Sequence, residues 1–108
     1  SQPYDASAYQ GISFWARAEV GSLQDFLVAV PDAQTFNVPG CTDCNNHFGA
    51  PFQATSEWQQ FVFYWGELEQ EHSSSLTAVD PSRLYVIQFQ VGEGSSFDLW
   101  LDDIAFVE

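Results

Sequence analysis

Cationic side chains are nearly absent from this chain of 108 residues. Fifteen Asp and Glu residues stand against two basic residues, Arg17 and Arg83, and there is no lysine. The net charge is −13 at pH 7. Nucleic acids and anionic membrane surfaces are bound through clusters of basic side chains, so we expect neither as a partner. The same charge favours solubility and attracts cations such as Ca²⁺.

Long apolar runs and recognisable catalytic patterns are also missing. No stretch approaches the roughly 18 apolar residues that a membrane-spanning helix needs, which predicts no membrane insertion. The acids form no recognisable catalytic pair, and no glycine-rich phosphate loop follows a strand. His47 and His72 lie in predicted loops, where we expect solvated rather than catalytic histidines. The sequence therefore predicts a protein that is not an enzyme.

The chain nevertheless has the apolar content of a folded domain. Hydrophobic residues make up 45% of it and aromatic residues 17%. A chain of this length forms one domain, which we place over residues 1–108. Because it starts at Ser1 and contains no methionine, we expect a processed chain or a fragment.

Apolar residues alternate at period two in several segments that are separated by turn residues. This pattern predicts strands over residues 11–20, 25–30, 59–65, 83–91 and 97–107, with a short one near Phe52. Two long polar connections, 34–51 and 66–82, separate them, and no helical periodicity is visible. Several short strands with turns between them predict an all-β fold, an antiparallel β-sandwich or barrel.

The final strand changes phase along its length. Its apolar residues are Phe97, Leu99 and Leu101 before an Asp102–Asp103 pair, and Ile104 and Phe106 after it. A change of phase within one strand predicts a β-bulge at the two aspartates.

Cys41 and Cys44 are the two cysteines of the chain. In an acidic β domain, this spacing favours a local disulfide that closes part of the first long loop. Two alternatives are a pair of free thiols and a zinc site that adds His47 and either Asp43 or His72. A redox role is not expected, because the spacing would then precede a helix in a βαβ unit.

Three stretches of the sequence carry a resemblance: residues 4–16, residues 57–60 and residues 97–106. The chain resembles galactose-binding-like jelly-roll modules, notably the family 11-like carbohydrate-binding modules of secreted bacterial glycosidases. The resemblance extends nearly end to end. It implies a jelly-roll sandwich, secretion, a bacterial source and glycan binding without catalysis.

The resemblance covers only the later strands of such a module. In the family fold, the final strand lies between the first strand and the strand that matches residues 11–20. Without that first strand, one edge of the final strand is bare and is a template for pairing. The resemblance thus implies that a strand lies upstream in a larger protein or comes from a neighbouring chain.

A candidate glycan-binding face follows from strand parity and from the jelly-roll strand order. One outer face would carry Trp15, Arg17, Gln60, Tyr64, Asp98 and Trp100, whereas the opposite sheet would offer Gln88 and Gln90. Aromatic rings stack on the apolar face of a sugar, and polar side chains bind its hydroxyls. Trp58 and Trp65 are expected in the core. The alternative is that the outer aromatic side chains are covered by a loop or by another subunit.

Asp102 and Asp103 are also candidate calcium ligands. In the resembled modules, an aspartate of the final strand joins oxygens near the N-terminus to hold a structural Ca²⁺. The alternative is a solvated bulge, because calcium takes about six to eight oxygens and two aspartates supply few of them.

Two functions are therefore expected from the sequence. The first is an extracellular, non-catalytic module that binds glycan. The second is a structural subunit of an extracellular filament or assembly, completed by a strand from an identical or neighbouring subunit.

Overall fold

Alternating apolar residues build two antiparallel β-sheets that pack face to face. A computed structural model describes residues 2–18, 24–91 and 99–108. The strands are β1 (Gly11–Ala18), β2 (Gln24–Val30), β3 (Phe48–Ala54), β4 (Gln59–Tyr64), β5 (Glu69–Gln70), β6 (Gln88–Val91) and β7 (Leu99–Val107). Short 3₁₀ helices span Trp65–Glu67 and Pro81–Arg83. The prediction of an all-β antiparallel sandwich is confirmed, and no helix of the described ranges is long and apolar enough to cross a membrane.

The strands form a three-stranded sheet in the order β4-β1-β7 and a four-stranded sheet in the order β5-β3-β2-β6. In the first sheet, Ile12 of β1 lies opposite Phe63 of β4 and Phe106 of β7. In the second sheet, Val28 of β2 lies opposite Ala50 of β3 and Phe89 of β6. Among the described residues, β7 pairs with β1 alone, so its other edge is left without a partner strand.

The core forms where the inner faces of the two sheets meet. Ile12, Phe14 and Ala16 of β1 are fully buried. The ring of Phe14 meets those of Phe52 and Phe89 edge-on, with centroids 5.1 and 5.0 Å apart. Burying an apolar side chain of this size contributes about 1.5–3 kcal/mol, so these contacts join the two sheets. Because these side chains point inward, the residues that alternate with them along β1 lie on the outer face of the sheet.

The predicted β-bulge lies in the middle of β7. Trp15 lies opposite Asp102, but Asp103 and Ile104 together lie opposite the single residue Phe14. Asp103 has a φ of 49°, in the left-handed region that aspartate tolerates better than most residues. The extra residue changes the phase of the strand, as the sequence pattern predicts.

Three boundaries differ from those predicted. β3 begins at Phe48 rather than near Phe52, and the second long connection contains β5. The strand predicted over 83–91 is confined to β6, because the backbone of Leu84 bonds Tyr4 in an isolated bridge ahead of it. The predicted continuation of the first strand to residue 20 and the predicted start of the last at residue 97 lie outside the described residues.

Candidate functional site

The outer face of the three-stranded sheet carries side chains from three neighbouring strands. Trp15 lies between Gln60 of β4 and Asp102 of β7, and Arg17 lies beside Trp100 of β7. Residues directly opposite each other on neighbouring strands share one face of a sheet. Trp58 contacts Arg17 from the other side. We call this surface the tryptophan platform, and its members are Trp15, Arg17, Trp58, Gln60, Trp100 and Asp102.

Arg17 lies between two indole rings of the platform. Its guanidinium carbon is 4.4 Å from the ring centroid of Trp100 and 5.5 Å from that of Trp58. Its Nε is buried and has no hydrogen-bond acceptor among the described residues. Each cation–π contact contributes about 0.5–1 kcal/mol at an exposed site and more where water is excluded. The two contacts therefore restrain the orientation of both rings.

The three tryptophans of the platform remain substantially exposed. The exposed fractions are 37% for Trp15, 45% for Trp58 and 41% for Trp100. Neighbouring strands are about 4.8 Å apart, so the two outer strands of this sheet are separated by about 10 Å. The platform is thus a broad surface that suits an extended ligand better than a single small ring.

The structure brings together Trp15, Arg17, Gln60 and Trp100, which were predicted to share one face. Tyr64 has the same parity and is exposed, but it lies opposite Gly11 at the far end of the sheet. Asp98 lies outside the described residues.

The expectation that Trp58 is a core residue is wrong. The alternation that turns Gln60 outward also turns Trp58 outward, because the two residues are two positions apart in the sequence. Counting back from Gln60 would have shown this in the sequence. Trp65, by contrast, packs against the core, and its Nε1 donates a hydrogen bond of 2.8 Å to the Tyr9 carbonyl oxygen.

Gln88 and Gln90 lie on the four-stranded sheet, away from the platform. Gln90 donates a hydrogen bond of 3.2 Å from Nε2 to Oε1 of Gln88. Gln90 also lines a cleft of about 360 Å³ over the outer face of this sheet. Leu27 contributes to its apolar lining, and His47 and Glu69 to its polar lining. Sequence reasoning did not find this cleft.

A buried carboxylate organises the loops beside the cleft. Asp32 is fully buried and accepts hydrogen bonds from the backbone N–H groups of Gln34 at 3.0 Å and Asp80 at 2.7 Å. It also accepts one from the N–H of Thr35, whose Oγ1 is 2.8 Å from Nδ1 of His47. Burial lowers the pKa of His47 below its ordinary value of 6.5, and the charge of Asp32 opposes this shift. His47 is therefore held as a neutral ring at the cleft near pH 7.

Cys41 and Cys44 form a disulfide, with their Cα atoms 5.5 Å apart. The predicted disulfide is confirmed, and the zinc and free-thiol alternatives for this pair are wrong. Asp43, between the two cysteines, accepts hydrogen bonds from Asn46 at 2.8 Å and Gln70 at 3.0 Å. The bond from Gln70 attaches the disulfide loop to β5.

The two aspartates of the bulge do not by themselves fit a calcium site. Oδ1 of Asp102 accepts a hydrogen bond of 2.9 Å from the backbone N–H of Asp103, and both side chains are exposed. No group of three or more His, Cys, Asp or Glu side chains within the described ranges is placed to hold a metal ion. Calcium takes about six to eight oxygens, so calcium binding here stays a prediction.

Comparisons with protein-family models, with curated proteins and with solved structures find no match for this chain. Its fold is therefore established by its own structure, as an antiparallel β-sandwich with a tryptophan platform on one sheet and a cleft on the other.

Proposed function

We propose that this domain binds glycan, without catalysis, through the tryptophan platform. The observation that carries the proposal is the group of three exposed tryptophans on one sheet face. Sugar rings present an apolar face that stacks on aromatic side chains, and their hydroxyls bind planar polar groups. Gln60 and Asp102 flank Trp15 and supply such groups.

An extracellular location fits this function. Disulfides persist in oxidising compartments and are rare in the cytosol, so the Cys41–Cys44 bond supports secretion. The high negative charge disfavours anionic polysaccharides, since like charges repel the ligand before it reaches the platform. We therefore infer that the preferred glycan is neutral or carries amino groups.

The test is a titration with mixed-linkage β-glucan, xylan, galactomannan and soluble chitosan oligosaccharides. Tryptophan fluorescence and calorimetry would measure binding to the native protein and to Trp15→Ala and Trp100→Ala. We expect saturable binding of at least one oligosaccharide, with about tenfold weaker affinity in each variant, because aromatic anchors dominate such contacts.

The control variant is Gln90→Ala, which alters the cleft on the other sheet. Its affinity should equal that of the native protein. If Gln90→Ala abolishes binding and the tryptophan variants do not, the cleft is the glycan site and the platform is not. Absence of saturable binding to every oligosaccharide class would refute glycan binding through the platform.

A second candidate function is that of a structural subunit in an extracellular assembly completed by strand addition. It is supported by the edge of β7 that no described strand covers. Light scattering tests self-assembly directly. A particle mass of 12.1 kDa, that of one chain, at every accessible concentration would reject assembly from identical subunits.

A further inference from the structure

Among the described residues, β7 forms an edge of the three-stranded sheet that no further strand covers. Ile12 and Phe14 of β1 are fully buried between the sheets. On β7, the neighbouring residue Phe106 is only partly buried, although it faces Ile12. Ile104 is 48% exposed. Ile104 thus lacks the cover that the same layer gives to β1, whereas the ring of Phe106 stacks on those of Tyr4 and Tyr9, with both centroid distances 5.3 Å.

An apolar slot of about 120 Å³ lies beside Phe106. It is lined by residues 84–87, by Phe106 and by Tyr4, whose ring stacks on that of Phe106. Val86 in this segment is 38% exposed. We call this region the open seam; it consists of the free edge of β7, Ile104, Phe106 and the segment 84–87.

The backbone of β7 adds hydrogen-bonding capacity to the open seam. Every non-proline residue carries one N–H donor and one C=O acceptor, and an edge strand leaves part of them unpaired. β7 is nine residues long and pairs with β1 alone among the described strands. A strand added here would pair with backbone groups and cover the apolar side chains together.

The charges along β7 restrict which strands can pair with its edge. Asp102 and Asp103 are both exposed at its centre. If β7 paired antiparallel with β7 of a second copy about this point, the aspartates of the two copies would lie close together, which is unfavourable.

Among the described residues, a second copy also brings no free lysine or arginine to offset this repulsion. The chain has two basic residues. Arg83 is bonded to Asp80 at 2.9 Å, and Arg17 is held between two tryptophan rings on the platform. Each copy carries a net charge of −13, so the repulsion extends beyond the contact itself.

We propose that the open seam binds an extended basic polypeptide segment, not a second copy of this chain. The segment adds a strand to the free edge of β7. Its alternate apolar side chains enter the seam beside Ile104 and Phe106, and its Lys or Arg side chains lie near Asp102 and Asp103. The proposal rests on the second proposed function, since both require strand addition at β7, and it names the chemistry of the added strand.

The probe is a pair of capped synthetic peptides matched in length to the nine residues of β7. In one peptide, valine alternates with lysine and threonine; in the other, glutamate replaces each lysine. Nitrogen-15 NMR and amide hydrogen exchange would map binding to the labelled protein. We expect the basic peptide to slow exchange within β7 and to bind at least about tenfold more tightly than the acidic peptide. This preference should shrink in about 0.5 M salt.

Two variants separate the contributions of charge and of apolar contact. Asp102→Asn combined with Asp103→Asn should reduce the preference for the basic peptide by about threefold or more. Ile104→Ser should weaken binding by about three- to tenfold, because it removes an apolar contact at an already exposed position. The matched control, Asp25→Asn combined with Glu69→Gln, removes the same charge from the four-stranded sheet and should leave the preference unchanged.

The outcomes of the peptide experiment are distinguishable from those of the tests for glycan binding and for assembly from identical subunits. Asp102 belongs to both the platform and the proposed strand contact, so the two functions are separated by other variants. Trp15→Ala and Trp100→Ala should leave peptide binding unaffected, and Ile104→Ser should leave glycan binding unaffected. A monomeric particle by light scattering rejects assembly from identical subunits and agrees with this proposal. Equal binding of the two peptides, no protection within β7, or stable self-association through β7 would overturn it.

Discussion

Replacing Arg17 by alanine removes a guanidinium from between two tryptophan rings. The two cation–π contacts, at 4.4 Å from Trp100 and 5.5 Å from Trp58, contribute together about 1–2 kcal/mol. The aliphatic part of the side chain covers apolar surface and adds about 1 kcal/mol. The buried Nε of Arg17 makes no hydrogen bond within the described ranges, so the substitution loses no hydrogen bond at that atom. We expect Arg17→Ala to lower the free energy of unfolding by about 2–3 kcal/mol.

Urea unfolding followed by tryptophan fluorescence measures this loss, and thermal unfolding should show a Tm lower by about 10 °C or more. Arg17→Lys keeps a charge but loses the planar group that stacks, so it should recover less than half of the loss.

The chain offers a matched control in its other arginine. Arg83 is bonded to Asp80, but its side chain is 55% exposed, so Arg83→Ala should cost about 0.5 kcal/mol or less. Equal stabilities of the Arg17→Ala and Arg83→Ala variants would refute the reasoning.

Two further predictions concern the loops beside the cleft. Burial lowers the pKa of His47 in the folded state, so the unfolded chain binds the extra proton first and stability falls as the pH drops below about 6.5. His47→Gln should therefore flatten this part of the curve of stability against pH; identical slopes for His47→Gln and the native protein would contradict the lowered pKa of His47. Replacing Cys41 and Cys44 by serine should lower the free energy of unfolding by at most about 2 kcal/mol, because the bond closes a very short loop. Calorimetry measures this loss, and complete unfolding of the double variant would show that the disulfide has more than a local role.

The fold was largely predictable because its main signals are local. Period-two alternation identifies β1, β2, β4 and β7, and the change of phase at Asp102 and Asp103 identifies the bulge. β5 was missed because two residues, Glu69 and Gln70, show no periodicity. It exists because it pairs with Phe48 and Gly49 of β3, and such a long-range pairing leaves no local pattern.

The two candidate sites differed in how far the sequence revealed them. The platform follows from parity on adjacent strands, so most of its members were found, and Trp58 was lost only because it precedes the regular alternation of β4. The cleft is assembled from β2, β3, β5, β6 and the loops between them. Leu27 and Gln90 are far apart in the sequence but lie opposite each other in the sheet. No local pattern encodes that proximity.

Asp32 limits which residues around the cleft can be varied without loss of the fold. Its carboxylate binds the turn after β2 and, through the backbone of Asp80, the segment before β6. The supporting bonds thus converge on one buried group, whereas exposed lining residues such as Glu69 and Gln90 are separate from it. Directed evolution can therefore vary the lining while the supporting frame is retained, and a library that also randomises Asp32 should yield mostly unfolded clones.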